Sequence, residues 1–486
     1  MTFLKSALQG LLASLLLARA GQAMMPIEVV GKRFVQPSYH VEDDGEVFFI
    51  KGIDYQPGGS SAYSDDSKTD VLSDAEACLR DAFSIQQLGA NTIRIYTINP
   101  AINHDQCMSI FDAAGIYVLV DVNSPLYNES LNRDDPDSSY NYWYMERVFK
   151  VIDAFKGYPN LLGFISGNEV INDGPSAKSV PKYLRAVQRD MKQYIANNAD
   201  RKIPVGYSAA DVVSLRAATW EYFNCNIDGD KDDISKADFF GLNSYEWCSG
   251  SSDWQSAAYG QVNSTFQDAT IPVFFSEYGC NKNSPRTFDE VTDGVFGGLV
   301  DTLSGGLVYE YSEEAANYGL VDISSDGDLK MDDDFDNLKA RYANASIPDI
   351  SLQDVSDPAI ITCNAKNITA LDSSFGANFS LPEVPGGIPQ LIQYGVNNSN
   401  IGKIVPLQGK ATNYTIENSN GSSFSDVSIS INPTYSISSL DTTATVSSSA
   451  SSSSSSKSKG AAIVGAQPAS YGTLFAAFTF GALALL

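Results

Sequence analysis

Between residues 45 and 315, short and nearly unbroken apolar runs alternate with longer stretches of helical spacing. The apolar runs fall at 47–53, 92–97, 117–122, 161–166, 203–208, 239–244, 273–276 and 306–311. A strand that is apolar on both faces needs cover on both sides, as in a parallel sheet. Helical patterns such as 74–88 and 183–196 supply that cover. Eight such units over roughly 270 residues predict an α/β fold, a (β/α)8 TIM barrel spanning 21–330. A doubly wound sheet would place Gly-x-Gly-x-x-Gly after its first strand, and no such turn is present. The pattern then changes. Residues 331–432 alternate Ser and Asn with Ile and Val and lack helical spacing, which predicts a small β-rich module tied to the barrel through Cys363.

The two ends read differently again. Lys5, an apolar run over 7–18 and a small-x-small site predict a secretory signal peptide over 1–20, with cleavage after Ala20 or Ala23. Ser and Thr crowd 435–458, so 433–460 reads as a flexible stalk. Small residues at Gly460-Ala461-Ala462, a mild spacer and an uncharged apolar tail predict a GPI anchor at Gly460, with 461–486 removed as a propeptide. A C-terminal membrane helix is the weaker alternative. Together these signals predict the secretory pathway, the outer face of the plasma membrane and the cell wall. Asn128, Asn263, Asn344, Asn367, Asn378, Asn397, Asn413 and Asn420 each open an N-glycosylation sequon. Five of the eight follow residue 360, so that region should be largely surface.

Composition narrows the chemistry. With 32 basic and 58 acidic side chains, the formal charge of −26 argues against nucleic acid and against polybasic membrane attachment. Two histidines, His40 and His104, exclude a His-rich metal site and leave a Ser-His-Asp hydrolase little to work with. Asp322, Ser324, Asp326 and Asp328 open like a calcium loop, but Lys330 takes the ninth position and the bidentate Glu is missing, so an acidic surface turn is expected. No metal and no cofactor are expected. Six cysteines on a secreted chain suggest three disulfides, with fifteen pairings open by spacing alone.

Chemistry in such a barrel sits at the C-terminal strand ends. Those ends carry Asp54, Gln56, Arg94, Tyr96, Asp121, Asn168, Glu169, Asp211, Asn243, Tyr245, Glu277, Tyr309 and Glu310. Glu169 and Glu277 each follow a buried strand, where a carboxylate is costly unless it has a partner or a function. Glycoside chemistry needs two such groups, one to protonate the leaving oxygen and one to attack carbon or activate water. Asn168 can donate to a sugar 2-hydroxyl. Arg94 has a second reading, as the partner that keeps Glu277 ionised.

Gly167-Asn168-Glu169-Val170, Ser276-Glu277-Tyr278-Gly279-Cys280, the Gly52–Gly58 segment, Asn91–Tyr96 and Asp334–Leu338 resemble the fungal GPI-anchored β-1,3-glucanosyltransferases of glycoside hydrolase family 72. The resemblance implies cleavage of an internal β-1,3-glucan bond and transfer to the non-reducing end of a second chain, by a monomer using donor and acceptor glucans. It implies Glu169 as acid/base and Glu277 as nucleophile. It places Tyr96, Asn168 and Tyr309 on the donor sugar and Asp211 and Arg216 toward the acceptor. Gln56, Asp121, Asn132, Tyr245 and Tyr318 match cleft positions, with Tyr55 on the same rim. It pairs Cys78–Cys107, Cys225–Cys363 and Cys248–Cys280. The cysteine-rich carbohydrate-binding module of longer members has no counterpart after Cys363, which implies the short subfamily. Two rival readings share these residues: an endo-β-1,3-glucanase that only hydrolyses, and a catalytically silent wall-binding protein.

Overall fold

The computed structural model describes residues 24–38, 45–60, 63–64, 67–355, 359–398 and 400–432. His40, the predicted signal peptide, the stalk, Gly460 and the anchor propeptide lie outside the described residues. The chain opens on three antiparallel strands, β1 (Glu28–Val30), β2 (Arg33–Gln36) and β3 (Glu46–Phe48). Eight parallel strands then close a barrel: β4 (Ile50–Asp54), β5 (Thr92–Ile95), β6 (Tyr117–Asp121), β7 (Leu161–Asn168), β8 (Val205–Ala210), β9 (Phe240–Asn243), β10 (Val273–Tyr278) and β11 (Gly305–Val308). The predicted (β/α)8 architecture is therefore present.

The predicted first strand is two strands. Val47 and Phe48 pair with Val35 and Phe34 of the small sheet, whereas Ile50 onward pairs with β11. No polar residue separates the two, so they read as one run. The small sheet covers the lower end of the barrel, where the strands begin. Phe34 lies 5.9 Å from Phe239 and 5.8 Å from Phe274, between ring centroids. With Met24, Ile27, Leu119 and Ile165 these rings form a second apolar core beneath the main one.

Local signals set the helices. Asp74 caps the helix Ala75–Leu88 by accepting from the N–H groups of Glu76 and Ala77, and Gly89 ends it in the left-handed region at φ 78°. Such ends fix where each strand leaves the barrel and hence where its last side chains point.

Residues 331–432 are not a β-rich module, which corrects the expectation from sequence. Helices Asp333–Asn344, Ala365–Leu371 and Ile388–Tyr394 occur there, with a single two-residue strand, β14 (Ile416–Glu417). β14 pairs with β13 (Leu329–Met331), itself in a hairpin with β12 (Val321–Ile323). Of the acidic segment, Asp322 lies in β12 and Ser324 to Asp328 form the turn of that hairpin. The rest is a belt over the outer helices. Asn197 and Asn198 donate to Ile392 O, Asn400 Nδ2 donates to Pro100 O, and Thr412 Oγ1 donates to Glu76 O. Ile388, Ile416 and Ile429 are buried under it. Alternation here reflects apolar side chains dropping into grooves between helices, while the backbone bonds to the barrel instead of to sister strands. The belt belongs to the same compact unit as the barrel.

Three disulfides are formed. Cys78–Cys107 joins two outer helices, Cys225–Cys363 fastens the belt, and Cys248–Cys280 links the loops after β9 and β10. No sequon asparagine is buried, and Asn344, Asn367, Asn378, Asn397, Asn413 and Asn420 are exposed.

Candidate active site

Glu277 sits near the end of β10 and is largely buried. Three donors converge on it. Arg94 Nη1 (3.2 Å) and Tyr96 Oη (2.9 Å) donate to Oε1, and Tyr245 Oη (2.9 Å) donates to Oε2. Burial pushes the Glu277 carboxyl up to about 7. Arg94 and the two phenol donors act against that rise, and the Glu169 charge adds to it. Arg94 is fully buried and grips Asp121 with Nε (3.0 Å) and Nη2 (2.9 Å) in a bidentate pair. One guanidinium thus ties β5, β6 and β10 together under the reactive carboxylate.

Glu169 follows β7 directly. Its backbone lies at φ 50°, in the left-handed region that non-glycine residues seldom occupy. Its N–H is bound to Ser208 O (2.9 Å), which holds that turn. Asn243 Nδ2 donates to Glu169 Oε1 (2.8 Å) and to Asn168 Oδ1 (3.1 Å). Asn243 is also the register partner of Glu277 on the neighbouring strand. It therefore bridges the two carboxylate-bearing strands. Ser208 Oγ also donates to Asn168 Oδ1 (2.9 Å), so the Asn168 amide oxygen is engaged and its N–H groups remain for a ligand. Tyr309 and Tyr318 complete an aromatic wall. Their rings lie 5.3 Å apart, with Tyr245 at 6.3 Å from Tyr309 and 5.7 Å from Tyr318.

The other predicted residues divide. Asp211 pairs with Arg216 Nε and accepts from Ser244 Oγ (2.8 Å), and the Ser244 N–H donates to Glu277 O (2.8 Å). That ion pair flanks the strand end that carries Glu277. Gln56 turns inward: its Oε1 accepts from the N–H groups of Tyr96 and Thr97, both at 3.1 Å, so it positions Tyr96. Asp121 is occupied by Arg94. Tyr55 is not on the rim, because it is buried with its hydroxyl on Asp81 Oδ2 (2.7 Å). Asn132 is exposed on the loop after β6 and closes a turn onto the Asp134 N–H. No bond joins it to the carboxylate pair.

Sequence reasoning placed Asn243 at a strand end but gave it no role, although an amide there was the same signal that marked Asn168. It gave Asp54 and Glu310 no role either. Asp54 is fully buried with both oxygens unbonded, and burial holds it well above the usual carboxylate range. Glu310, beside Tyr309, is pushed up to about 7 by burial.

These raised values set how stability varies with pH. Glu277, Glu290 and Glu310 sit near 7, all through burial. Each binds its proton more tightly folded than unfolded. The stability this contributes is complete below the unfolded value near 4 and is lost as pH rises through about 7. Growing self-repulsion of an acidic chain acts in the same direction. The melting temperature is expected to be higher at pH 5 than at pH 8 by about 5 °C or more. Calorimetry across that range checks it, and a melting temperature that climbs toward pH 8 counts against it.

A (β/α)8 barrel that presents two carboxyls, one just after β7 and one near the end of β10, at one tyrosine-lined rim has the construction of a glycosidase-type active site. The sequence pattern of the family described as Glucanosyltransferase, glycoside hydrolase family 72, matches residues 16–346, and the chain belongs to that family. It is 56% identical over 433 residues to the probable 1,3-beta-glucanosyltransferase GAS3 of Saccharomyces cerevisiae, covering 87% of this chain and 82% of the relative. It is 46% identical over 415 residues to the 1,3-beta-glucanosyltransferase gel2 of Aspergillus fumigatus, covering 85% of each. Among solved structures it is similar to a mutant of Saccharomyces cerevisiae Gas2 in complex with laminaritetraose and laminaripentaose. That likeness has a TM-score of 0.63 and 38% identity and covers 75% of each chain.

Proposed function

We propose that the protein is a 1,3-β-glucanosyltransferase of the cell wall that elongates β-1,3-glucan by a retaining double displacement. The observation that carries the mechanism is the Glu277 carboxylate, held by Arg94, Tyr96 and Tyr245 and within reach of the Glu169 charge. In the first step a Glu277 oxygen attacks the anomeric carbon. The glycosidic C–O bond breaks, and Glu169 gives its proton to the leaving oxygen. The donor chain now hangs on Glu277 as a glycosyl ester. In the second step Glu169, now a carboxylate, takes the proton of a hydroxyl at the non-reducing end of another glucan. That oxygen attacks the anomeric carbon and the Glu277 carboxylate is released. Arg94 and Tyr245 favour this leaving carboxylate, and Asn243 holds Glu169 in place. Asn168 and the tyrosine wall contact the donor sugar, and the Asp211–Arg216 pair stands toward the acceptor.

Support for the substrate comes from the relatives' names and from the laminari-oligosaccharides bound to Gas2. An endo-β-1,3-glucanase shares the first step and differs only in that water resolves the ester. Incubation with a reduced laminari-oligosaccharide and sizing of the products separates the two. Products longer than the substrate are expected, and products that are only shorter would establish hydrolysis. Unchanged substrate would favour the silent wall-binding reading. The protein is further proposed to lose a leader on export and to carry N-linked sugars on its sequons. It is proposed to work as a monomer, held by a GPI lipid at Gly460.

A further inference from the structure

Asp112 lies in the helix Asp105–Ala113 on the side away from the cleft, with none of its surface exposed. Neither of its carboxyl oxygens makes a hydrogen bond of good geometry, and no ion pair reaches it among the described residues. An isolated buried carboxylate is costly. One group near it favours the charged form, the main-chain nitrogen of Met24. That nitrogen is not free to wander. Met24 is 3% exposed and sits in the lower core, and the next residue is fixed by Tyr117 Oη, which donates to Met25 O (2.6 Å). Immediately before Met24 the sequence reads Gly21-Gln22-Ala23, a small-x-small site of the kind a secretory leader peptidase cuts.

We infer that the leader is removed between Ala23 and Met24, and that the α-ammonium so created forms an ion pair with the buried carboxylate of Asp112. The chemistry is peptide hydrolysis. Water adds across the Ala23–Met24 bond, its oxygen stays on the Ala23 carboxylate, and the Met24 nitrogen takes up protons to become an ammonium. Before the cut that nitrogen offers one N–H in a direction set by the peptide plane, and no charge. After it, the same atom carries a full positive charge and three protons that rotate into line with both oxygens. The precursor therefore folds around an unpaired acid, and the mature chain closes the pair. Burial, which pushes the Asp112 carboxyl up to about 8 while it is unpaired, is then opposed by an adjacent cation. This reading is independent of the carbohydrate chemistry.

The test begins with the full chain secreted from a yeast host under its own leader. Mass spectrometry of the amino-terminal peptide is expected to show Met24 as the first residue, and a mature chain beginning at Gly21 would overturn the inference. Two changes are then combined: Asp112→Asn, and insertion of Gly-Ser ahead of Met24. Each alone is expected to lower the melting temperature by about 4 °C or more. Together they should lower it no further than either alone, because both remove one pair. Additive losses would overturn the pairing. A third readout serves if Asp112→Asn is not secreted. The α-amine of the folded wild-type protein is expected to acylate at least about tenfold more slowly near neutral pH than in denaturant, since a paired, buried ammonium is a poor nucleophile. Equal rates would overturn the inference.

Discussion

Glu277→Gln is expected to abolish glucan transfer, by about 10^4-fold or more in turnover, while the protein stays folded. The side chain keeps its volume, its amide oxygen can still accept from Arg94 and Tyr96, and its NH2 can donate to the Tyr245 hydroxyl oxygen, so the strand end has no reason to move. It loses the nucleophile, and no other carboxyl takes its place: Asp121 is clamped by Arg94, and burial, which raises Asp54 well above the usual carboxylate range, disfavours its charged form. Stability should not fall. At neutral pH the wild type holds a partly ionised carboxyl in a site whose burial disfavours the charge, and the amide removes that cost. The variant should therefore melt no lower than wild type at pH 7, and any gain should fade toward pH 4.5. Glu169→Gln gives the contrast that fixes the roles. On an oligosaccharide with a leaving group that needs no proton, this variant should still form the glycosyl ester and release a burst, whereas Glu277→Gln should not. A burst from Glu277→Gln would reverse the assignment.

Arg94→Met should combine a stability defect with a shifted pH profile. Its guanidinium makes two bonds to Asp121, one to Glu277 and one to Ser276 O, in a place water does not reach. Removing it strands Asp121 in the interior, at a cost of about 3–5 kcal/mol by denaturant unfolding. It also removes the main influence that favours ionised Glu277. The Glu277 carboxyl then rises further, and the acid limb of kcat/KM moves to higher pH. Arg94→Lys keeps a charge without the fork and should fall between. A defect in stability with an unmoved acid limb would mean that Arg94 is structural and that another group controls the limb.

The barrel was legible because closing it imposes a pattern. Strands buried on both faces appear as unbroken apolar runs, and polar groups are tolerated only at their exits. That logic placed Glu169, Glu277, Tyr96, Asn168 and Tyr245 on one rim. It failed where one strand followed another without a polar break, so β3 and β4 merged. It failed again where alternation arose without a sheet, in the belt. The direction of a side chain within the rim was also hidden. Gln56 and Asp121 stand at strand ends like the others, yet Gln56 grips main-chain N–H groups and Asp121 grips a guanidinium. Nothing in a one-dimensional string separates a side chain that faces a sugar from one that braces its neighbour.

The belt ends with the N–H of Asn432 bound to Ala113 O at 2.8 Å, just ahead of the residues that enter β6. That is the floor of the barrel, while Glu169 and Glu277 stand at its ceiling. The chain thus departs from the pole opposite the cleft. The last hydrogen bond of the belt braces the floor, at the far end of the strands from the two carboxyls.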